Sequence, residues 1–459
     1  MARVVSLRKA CAVNPLKMSQ TMGAALAFLG VDRCLPLLHG AQGCTAFGLV
    51  LFVRHFREAI PLQTTAMSEV TTIMGGVDNL EQAIVNIVDR THPQIIGICS
   101  TGLTETQGED GEGALRTIRA RHPELAPVAL VFVSTPDYEG AFQDGWRLAV
   151  TRMIEELTEP AVRRHPRRIN ILPGSHITPG DIEELREMVE AFGFRPQVLP
   201  DLSGSLDGHV PEAFCPTTLG GAGVATIRAA GTAAFTLAIG EQMRMPAEAL
   251  ERKAGVPYHV LTRLTGLGAT DALMQILSAR SKRPVPAKYR RQRSQLVDAM
   301  LDGHFFFSGL QVAVAAEPDL LFALGAWLAE MGAQITAAVT TADSPVLADV
   351  PADEVLIGDL ADLEARAAHC DLLVTHSHGR QMAARMRRPL WRVGLPLFDR
   401  LGAAHRVSVG YRGTRHLISE VANLLADHED AQGRGAVGAK EREQDQSAAC
   451  AAQTEEVSL

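Results

Sequence analysis

Aromatic side chains make up only 5% of this 459-residue chain. That scarcity removes the stacking platforms on which single-stranded nucleic acids are held. Positive charge is also short: 44 Lys and Arg against 52 Asp and Glu give a formal net charge of −8. A surface of that sign attracts neither nucleic acid nor an anionic membrane. No apolar run approaches the length that crosses a bilayer, and the Met-Ala-Arg-Val-Val start opens no apolar signal core with a small-residue cleavage site. A cytoplasmic protein with no membrane partner is expected. The cysteines are seven and scattered (Cys11, Cys34, Cys44, Cys99, Cys215, Cys370, Cys450), with no Cys-x-x-Cys pair. In a reducing compartment these are thiols, not a disulfide framework.

Several catalytic signatures are missing too. No Gly-x-x-x-x-Gly-Lys-Ser/Thr loop is present to cradle nucleotide phosphates, so the chain itself is not expected to drive ATP hydrolysis. There is no Gly-x-Ser-x-Gly elbow and no His-Glu-x-x-His pair. Leu219-Gly220-Gly221-Ala222-Gly223 and Thr265-Gly266-Leu267-Gly268 are glycine-rich but lack the rest of a dinucleotide fingerprint. They are expected to let backbone segments approach closely.

What is present is α/β patterning. A hydrophobic content of 46%, 21% charged residues and 40 glycines describe a well-packed chain of about three domains. Alternating apolar runs and helical periods predict three Rossmann-like domains, each a mostly parallel sheet flanked by helices. Their expected bounds are residues 1–162, 163–304 and 305–428, with a polar, disordered tail at 429–459. Within them, residues 1–20 are expected as an irregular arm turning at Asn14-Pro15, and 163–168 as a basic linker. Residues 225–238 are expected to be helical, and 100–105 a loop at the carboxyl end of a strand. Thr178-Pro179-Gly180-Asp181 reads as a helix start, with its cap followed by proline.

The chemistry concentrates at His39-Gly40-Ala41-Gln42-Gly43-Cys44-Thr45-Ala46-Phe47. An extended run before it and a helix after it place Cys44 near a helix start, where backbone N–H groups favour an anion such as a thiolate. Cys44 is therefore a candidate metal or cluster ligand, with a small half-buried cysteine as the bland alternative. His376 and His378 share one face of a strand end and are weaker metal candidates; ordinary polar loop residues are the favoured reading. Glu105, Glu109 and Asp110 form an acidic group, either a solvated loop or part of an interface.

A family resemblance adds to this. Asn14-Pro15-Leu16-Lys17, the His39-to-Cys44 run, Pro61-Leu62-Gln63-Thr64-Thr65-Ala66-Met67, Ile98-Cys99-Ser100-Thr101-Gly102-Leu103-Thr104-Glu105, and Pro200-Asp201-Leu202-Ser203-Gly204-Ser205-Leu206-Asp207-Gly208 resemble the β-type subunits of nitrogenase and their scaffold paralogues. The likeness covers about residues 10–425 and leans toward the scaffold chains on which the iron–molybdenum cofactor is assembled. A catalytic β subunit places three cysteines on an eight-iron cluster. Here Met18-Ser19 and Gly102 stand at two of those positions, and only Cys44 matches. The resemblance therefore implies a [4Fe-4S] cluster shared between Cys44 and three cysteines of an α-type, NifE-like partner. It also implies a heterotetramer of two α-type and two β-type chains, served by the nitrogenase iron protein and a cofactor-precursor donor protein. The iron–molybdenum cofactor precursor would sit in the partner, and no catalytic motif is assigned to this chain. A nitrogenase β subunit, or the B-type subunit of dark-operative protochlorophyllide reductase, remains the alternative.

Overall fold

The computed structural model describes residues 1–6 and 15–431. Cys11, Asn14, Cys450 and the expected disordered tail from residue 432 onward lie outside the described residues. The first element, β1 (Arg3–Ser6), joins a sheet reached only late in the chain. The first unit then runs α1 (Gln20–Leu29), β2 (Cys34–His39), α2 (Gln42–Phe56), β3 (Gln63–Thr64), α3 (Glu69–Met74), α4 (Val77–Thr91), β4 (Ile95–Ser100), α5 (Gly102–Gln107), α6 (Gly111–Arg121), β5 (Ala129–Val133) and α7 (Phe142–Leu157). Its strands form a parallel sheet in the order β3-β2-β4-β5. β2 and β4 are buried along their whole length. This is why both read as nearly unbroken apolar runs: helices cover both faces of a parallel sheet.

α1 is buried along its whole length and packs on α7. Two glycines make that contact possible. A Cβ on Gly23 would lie 1.8 Å from the Phe142 carbonyl oxygen, and one on Gly145 would lie 1.8 Å from that of Gln20. The helix backbones meet where no side chain fits.

The second unit contains β6 (His165–Pro173), α8 (Pro179–Ala191), β7 (Arg195–Val198), α9 (Val224–Arg228), β8 (Ala233–Ile239), α10 (Arg244–Ala254), β9 (Tyr258–Leu261), α11 (Leu267–Ser281) and α12 (Ala287–Phe307). The sheet order is β7-β6-β8-β9, again parallel. α8 begins as its sequence requires: the Thr178 hydroxyl accepts the Asp181 N–H at 3.0 Å, Asp181 Oδ2 accepts the Thr178 N–H at 3.1 Å, and Pro179 opens the first turn.

The third unit adds β10 (Gln311–Ala315), α13 (Pro318–Glu330), β11 (Gln334–Thr340), β12 (Glu354–Ile357), α14 (Leu360–Arg366), β13 (Leu372–Thr375), α15 (Arg380–Met386), β14 (Leu390–Arg392) and α16 (Gly410–Ala431). Its parallel sheet has the order β1-β12-β11-β10-β13-β14. One large hydrophobic cluster runs through all three units, from α1 and α7 to α16. No described helix is long and apolar enough to cross a membrane.

Five expectations need correction. Residues 3–6 are no arm and leave the first unit: Arg3 to Ser6 pair in parallel with Glu354 to Ile357, a register that so short a run cannot advertise. Residues 165–168 are the solvent-facing start of β6, where Arg168 pairs with Arg195, so the basic linker is strand. Residues 233–239 are the inner strand β8, not helix. Covered on both faces, β8 has no alternation to show, and tertiary packing overrides its alanine-rich helical propensity. Residues 102–105 form the first turn of α5. The last helix continues to Ala431, beyond the expected break at 429.

Candidate functional site

Cys44 sits in the first turn of α2, past the carboxyl end of β2, where open α/β sheets gather ligands. The turn between them is built from the sequence that singled it out. A Cβ on Gly40 would fall 2.3 Å from Thr101 Oγ1, so only glycine fits. The Gly40 N–H donates to Thr65 Oγ1 at 3.1 Å, and its carbonyl accepts the Met67 N–H at 3.0 Å. The Thr101 and Thr104 hydroxyls both donate to the His39 carbonyl, at 3.0 and 3.2 Å. Ala41 caps α2 without a side-chain hydrogen bond, and no acid lies in the first turn. The positive end of the helix is therefore left open beside the thiol.

The Cys44 side chain is exposed. Its thiol is nevertheless pushed above the ordinary cysteine value, by desolvation first and by the negative charge of Asp137 second; the backbone N–H of its own turn pulls the other way. The expected thiolate-favouring effect of the helix terminus is present, but it is outweighed. A metal bound here has to displace a proton.

α2 and α3 both carry bare apolar side chains. Phe47 is 68% exposed, and Val50 and Val53 follow on the same helix. On α3, Val70 and Ile73 also face solvent, Ile73 at 84%. No sequence expectation covered α3, although the Ser68/Thr71 capping box that starts it is a readable signal. Isolated exposed hydrophobics are ordinary, and of these only Phe47 lies one turn of α2 on from Cys44.

The two positions that lack cysteine differ in setting. Met18 is half-buried and packs on the main core. Gly102 opens α5, and its N–H donates to Asp137 Oδ2 at 3.0 Å. Cys99 is fully buried in β4, where desolvation pushes its thiol far up; it is core, not ligand.

The acidic residues are not one cluster: Glu105 and Glu109 are half-buried and bonded within the chain, and Asp110 is solvent-exposed. Glu105 accepts from the hydroxyls of Ser100 and Ser134. Glu109 accepts from the Gly76 N–H and pairs with His39 Nε2 at 2.8 Å. Asp110 caps α6. His39, bonded to Thr65 through Nδ1, is held below its ordinary pKa by burial, with Glu109 opposing.

His376 is buried, with Nε2 at 3.2 Å from the Leu16 carbonyl and Nδ1 accepting the His378 N–H at 3.3 Å. Both ring nitrogens are used within the chain. Among the described residues no group of three or more His, Cys, Asp or Glu side chains is arranged to hold a metal. A single accessible thiol at Cys44 offers a metal or cluster one ligand from this part of the chain.

The first glycine-rich stretch brings backbones together: a Cβ on Gly220 would lie 1.8 Å from the Gly204 carbonyl oxygen, and one on Gly221 would lie 2.7 Å from that of Gly30. The second meets side chains instead: a Cβ on Gly266 would lie 2.4 Å from Glu330 Oε2, and the Gly268 N–H donates to Glu330 Oε1 at 3.2 Å.

Comparison with known proteins agrees with this architecture. The profile of the nitrogenase component 1 type oxidoreductase family matches residues 19–426. The chain is 59% identical over 439 residues to a protein of Bradyrhizobium diazoefficiens named nitrogenase iron-molybdenum cofactor biosynthesis protein NifN, covering 95% of this chain and 94% of that one. Proteins of the same name from Mesorhizobium japonicum and Rhizobium meliloti are 55% and 53% identical, over 94% and 93% of this chain and 94% and 98% of theirs. A structure of nitrogenase Cp1 at pH 6.5 superposes with a TM-score of 0.87 at 30% identity, covering 92% of this chain and 95% of that one. Three parallel sheets in one cored molecule, matched by profile, sequence and structure, carry one conclusion: the chain belongs to the nitrogenase component 1 type oxidoreductase family.

Proposed function

We propose that this chain is the β-type subunit of a scaffold on which the nitrogenase iron–molybdenum cofactor is assembled. The names of its close relatives support that pathway. The observation that carries the site is Cys44: one exposed thiol at an uncapped helix start, with bare Phe47 one turn on, on a chain whose α2 and α3 carry further exposed apolar side chains. Such a face is half of something. Its other half in this reading is an α-type, NifE-like partner that brings three cysteines, and two such pairs make the heterotetramer.

Cys44 then contributes one thiolate to a [4Fe-4S] cluster shared across the interface, and that cluster supplies a one-electron relay. The chain's own residues do the rest. The open end of α2 offsets negative charge at the thiolate, and the exposed apolar side chains of α2 and α3 exclude water once covered. Half-buried Met18 and the Gly102 turn leave no second and third thiolate for an eight-iron cluster. The cofactor precursor, as cargo, is held by the partner after delivery by a donor protein. It is matured with molybdenum and homocitrate while the nitrogenase iron protein acts on the complex. A cytoplasmic location belongs to the same reading.

The test is the purified complex with its α-type partner. Wild type is expected to be brown, with about two shared clusters per heterotetramer; Cys44→Ala is expected to lose the corresponding iron and the four-iron EPR signal. Unchanged iron and spectrum in the variant would refute the ligand assignment. Capture of a chlorin-reductase chain instead of a nitrogenase-like α chain would refute the pathway.

A further inference from the structure

Asp137 has no role in the cluster site proposed for Cys44, yet it is hydrogen-bonded to Gly102, whose neighbour Thr101 packs against the Gly40 turn that leads to Cys44. Asp137 follows β5, in the loop that leads to α7. Its Oδ2 accepts the Gly102 N–H at 3.0 Å, and its Oδ1 lies 3.2 Å from the Thr21 hydroxyl, whose one proton also has the Ser100 and Thr135 carbonyls within reach. The carboxylate is thus held by the start of α5 and set beside α1. A Cβ built on Gly102 would lie 3.2 Å from Oδ2 and 3.3 Å from the Asp137 Cβ. The carboxylate fills the space into which a side chain at 102 would project. Where a larger cluster would need a third thiolate, this chain has placed an anchored anion. The residue lies on the exposed side of its loop, and its charge reaches the Cys44 thiol.

We propose that Asp137 sets the reduction potential of the cluster bound at Cys44, as a fixed negative charge that disfavours adding an electron. The proposal rests on the reading of Cys44 as a ligand. Fixed by the Gly102 N–H, Asp137 acts through its field. Reduction adds one electron to the cluster with no bond made or broken, so a fixed anion nearby raises the energy of the reduced form by simple Coulomb repulsion. On a bare surface salt would screen much of that effect. Beneath a partner chain, with Phe47 and Ile73 covered, screening falls and the charge counts for more.

The experiment is a dithionite-poised redox titration of the full heteromeric complex, read by EPR, with iron measured on each sample. Asp137→Asn keeps the shape and an acceptor for the Gly102 N–H; it is expected to retain wild-type iron and shift the midpoint to a more positive potential. Asp137→Glu keeps the charge and is expected to stay close to wild type. A wild-type midpoint in the Asn variant at full iron overturns the proposal, and so does an equal shift in both variants, which would mark a packing effect. Cys44→Ala run alongside separates the two ideas. If that variant keeps its iron, the ligand assignment has failed; if it loses iron while Asp137→Asn leaves the midpoint unchanged, only the role of Asp137 has failed.

Discussion

Two places in this molecule carry residues of the metal-ligand type just beyond the carboxyl end of a parallel strand: Cys44 after β2 and the His376/His378 pair after β13. They are opposite in every physical respect. Cys44 is exposed, starts a helix without a side-chain cap and has bare Phe47 one turn on. His376 is buried and spends both ring nitrogens on backbone groups of its own chain. His378 packs edge-on against both His376 and Phe398, at 5.2 Å each. Burial pushes His376 down to about 4, so it stays a neutral structural hydrogen-bonding group. Residue type and position after a strand are therefore weak signals. What separates a ligand from a strut is whether its donor atom is already used.

That contrast breaks most easily at the exposed apolar side chains of α2 and α3. Phe47→Asp combined with Ile73→Asp places two charges where a partner would desolvate them. The dissociation constant of the heteromeric complex is expected to rise at least about 30–100-fold, roughly 2–3 kcal/mol, while the isolated chain keeps its melting temperature. Sedimentation and thermal unfolding of the same samples measure both. Unaltered assembly would mean that these side chains face solvent in the complex.

The opposite result is expected at the third sheet. His376→Ala opens a cavity and orphans the Leu16 carbonyl and the His378 N–H. It should lower stability by about 2–3 kcal/mol while leaving the iron content of the complex at the wild-type value. Loss of iron with intact stability would make this pair a metal site after all.

The same histidine predicts a pH dependence. Its folded-state pKa lies near 4 against an ordinary 6.5, so below 6.5 the unfolded chain binds a proton that the folded chain refuses. Its contribution is complete above about pH 6.5 and is lost as pH falls toward 4, by about 2 kcal/mol at pH 5. Urea midpoints at pH 7 and pH 5 check this. The drop should be smaller in His376→Gln, and an identical drop would assign the acid sensitivity elsewhere.

Much of this architecture was legible because several elements declare themselves locally. β2 and β4 are unbroken apolar runs, α8 carries its cap and proline, and the Gly40 turn announces a close approach. The parts that were not legible depend on distant partners. Nothing in Arg3-Val4-Val5-Ser6 points to a strand 350 residues away at Glu354, and β8 hides its strand identity behind alanines because both of its faces are covered. Cys44 was found from its glycine turn, but its exposure depends on how α2 packs on the rest of the chain. Asp137 was invisible for the same reason: its partners, Thr21 and Gly102, come from elsewhere in the chain.

The smallest expected effect sharpens the comparison most. An exposed side chain in a first helical turn contributes little to folding, and alanine is the best helix former. Cys44→Ala in the isolated chain should therefore change unfolding free energy by no more than about 0.5 kcal/mol, against the larger loss at His376. The same substitution removes the thiol on which the shared cluster depends. A silent change in the isolated chain, paired with lost iron in the complex, is the signature of a residue kept for a partner rather than for the fold. Destabilisation of the isolated chain by more than about 1 kcal/mol would instead place Cys44 among the packed cysteines, with Cys34 and Cys99. Denaturant titration of the two isolated chains, wild type and Cys44→Ala, separates these outcomes without any metal present.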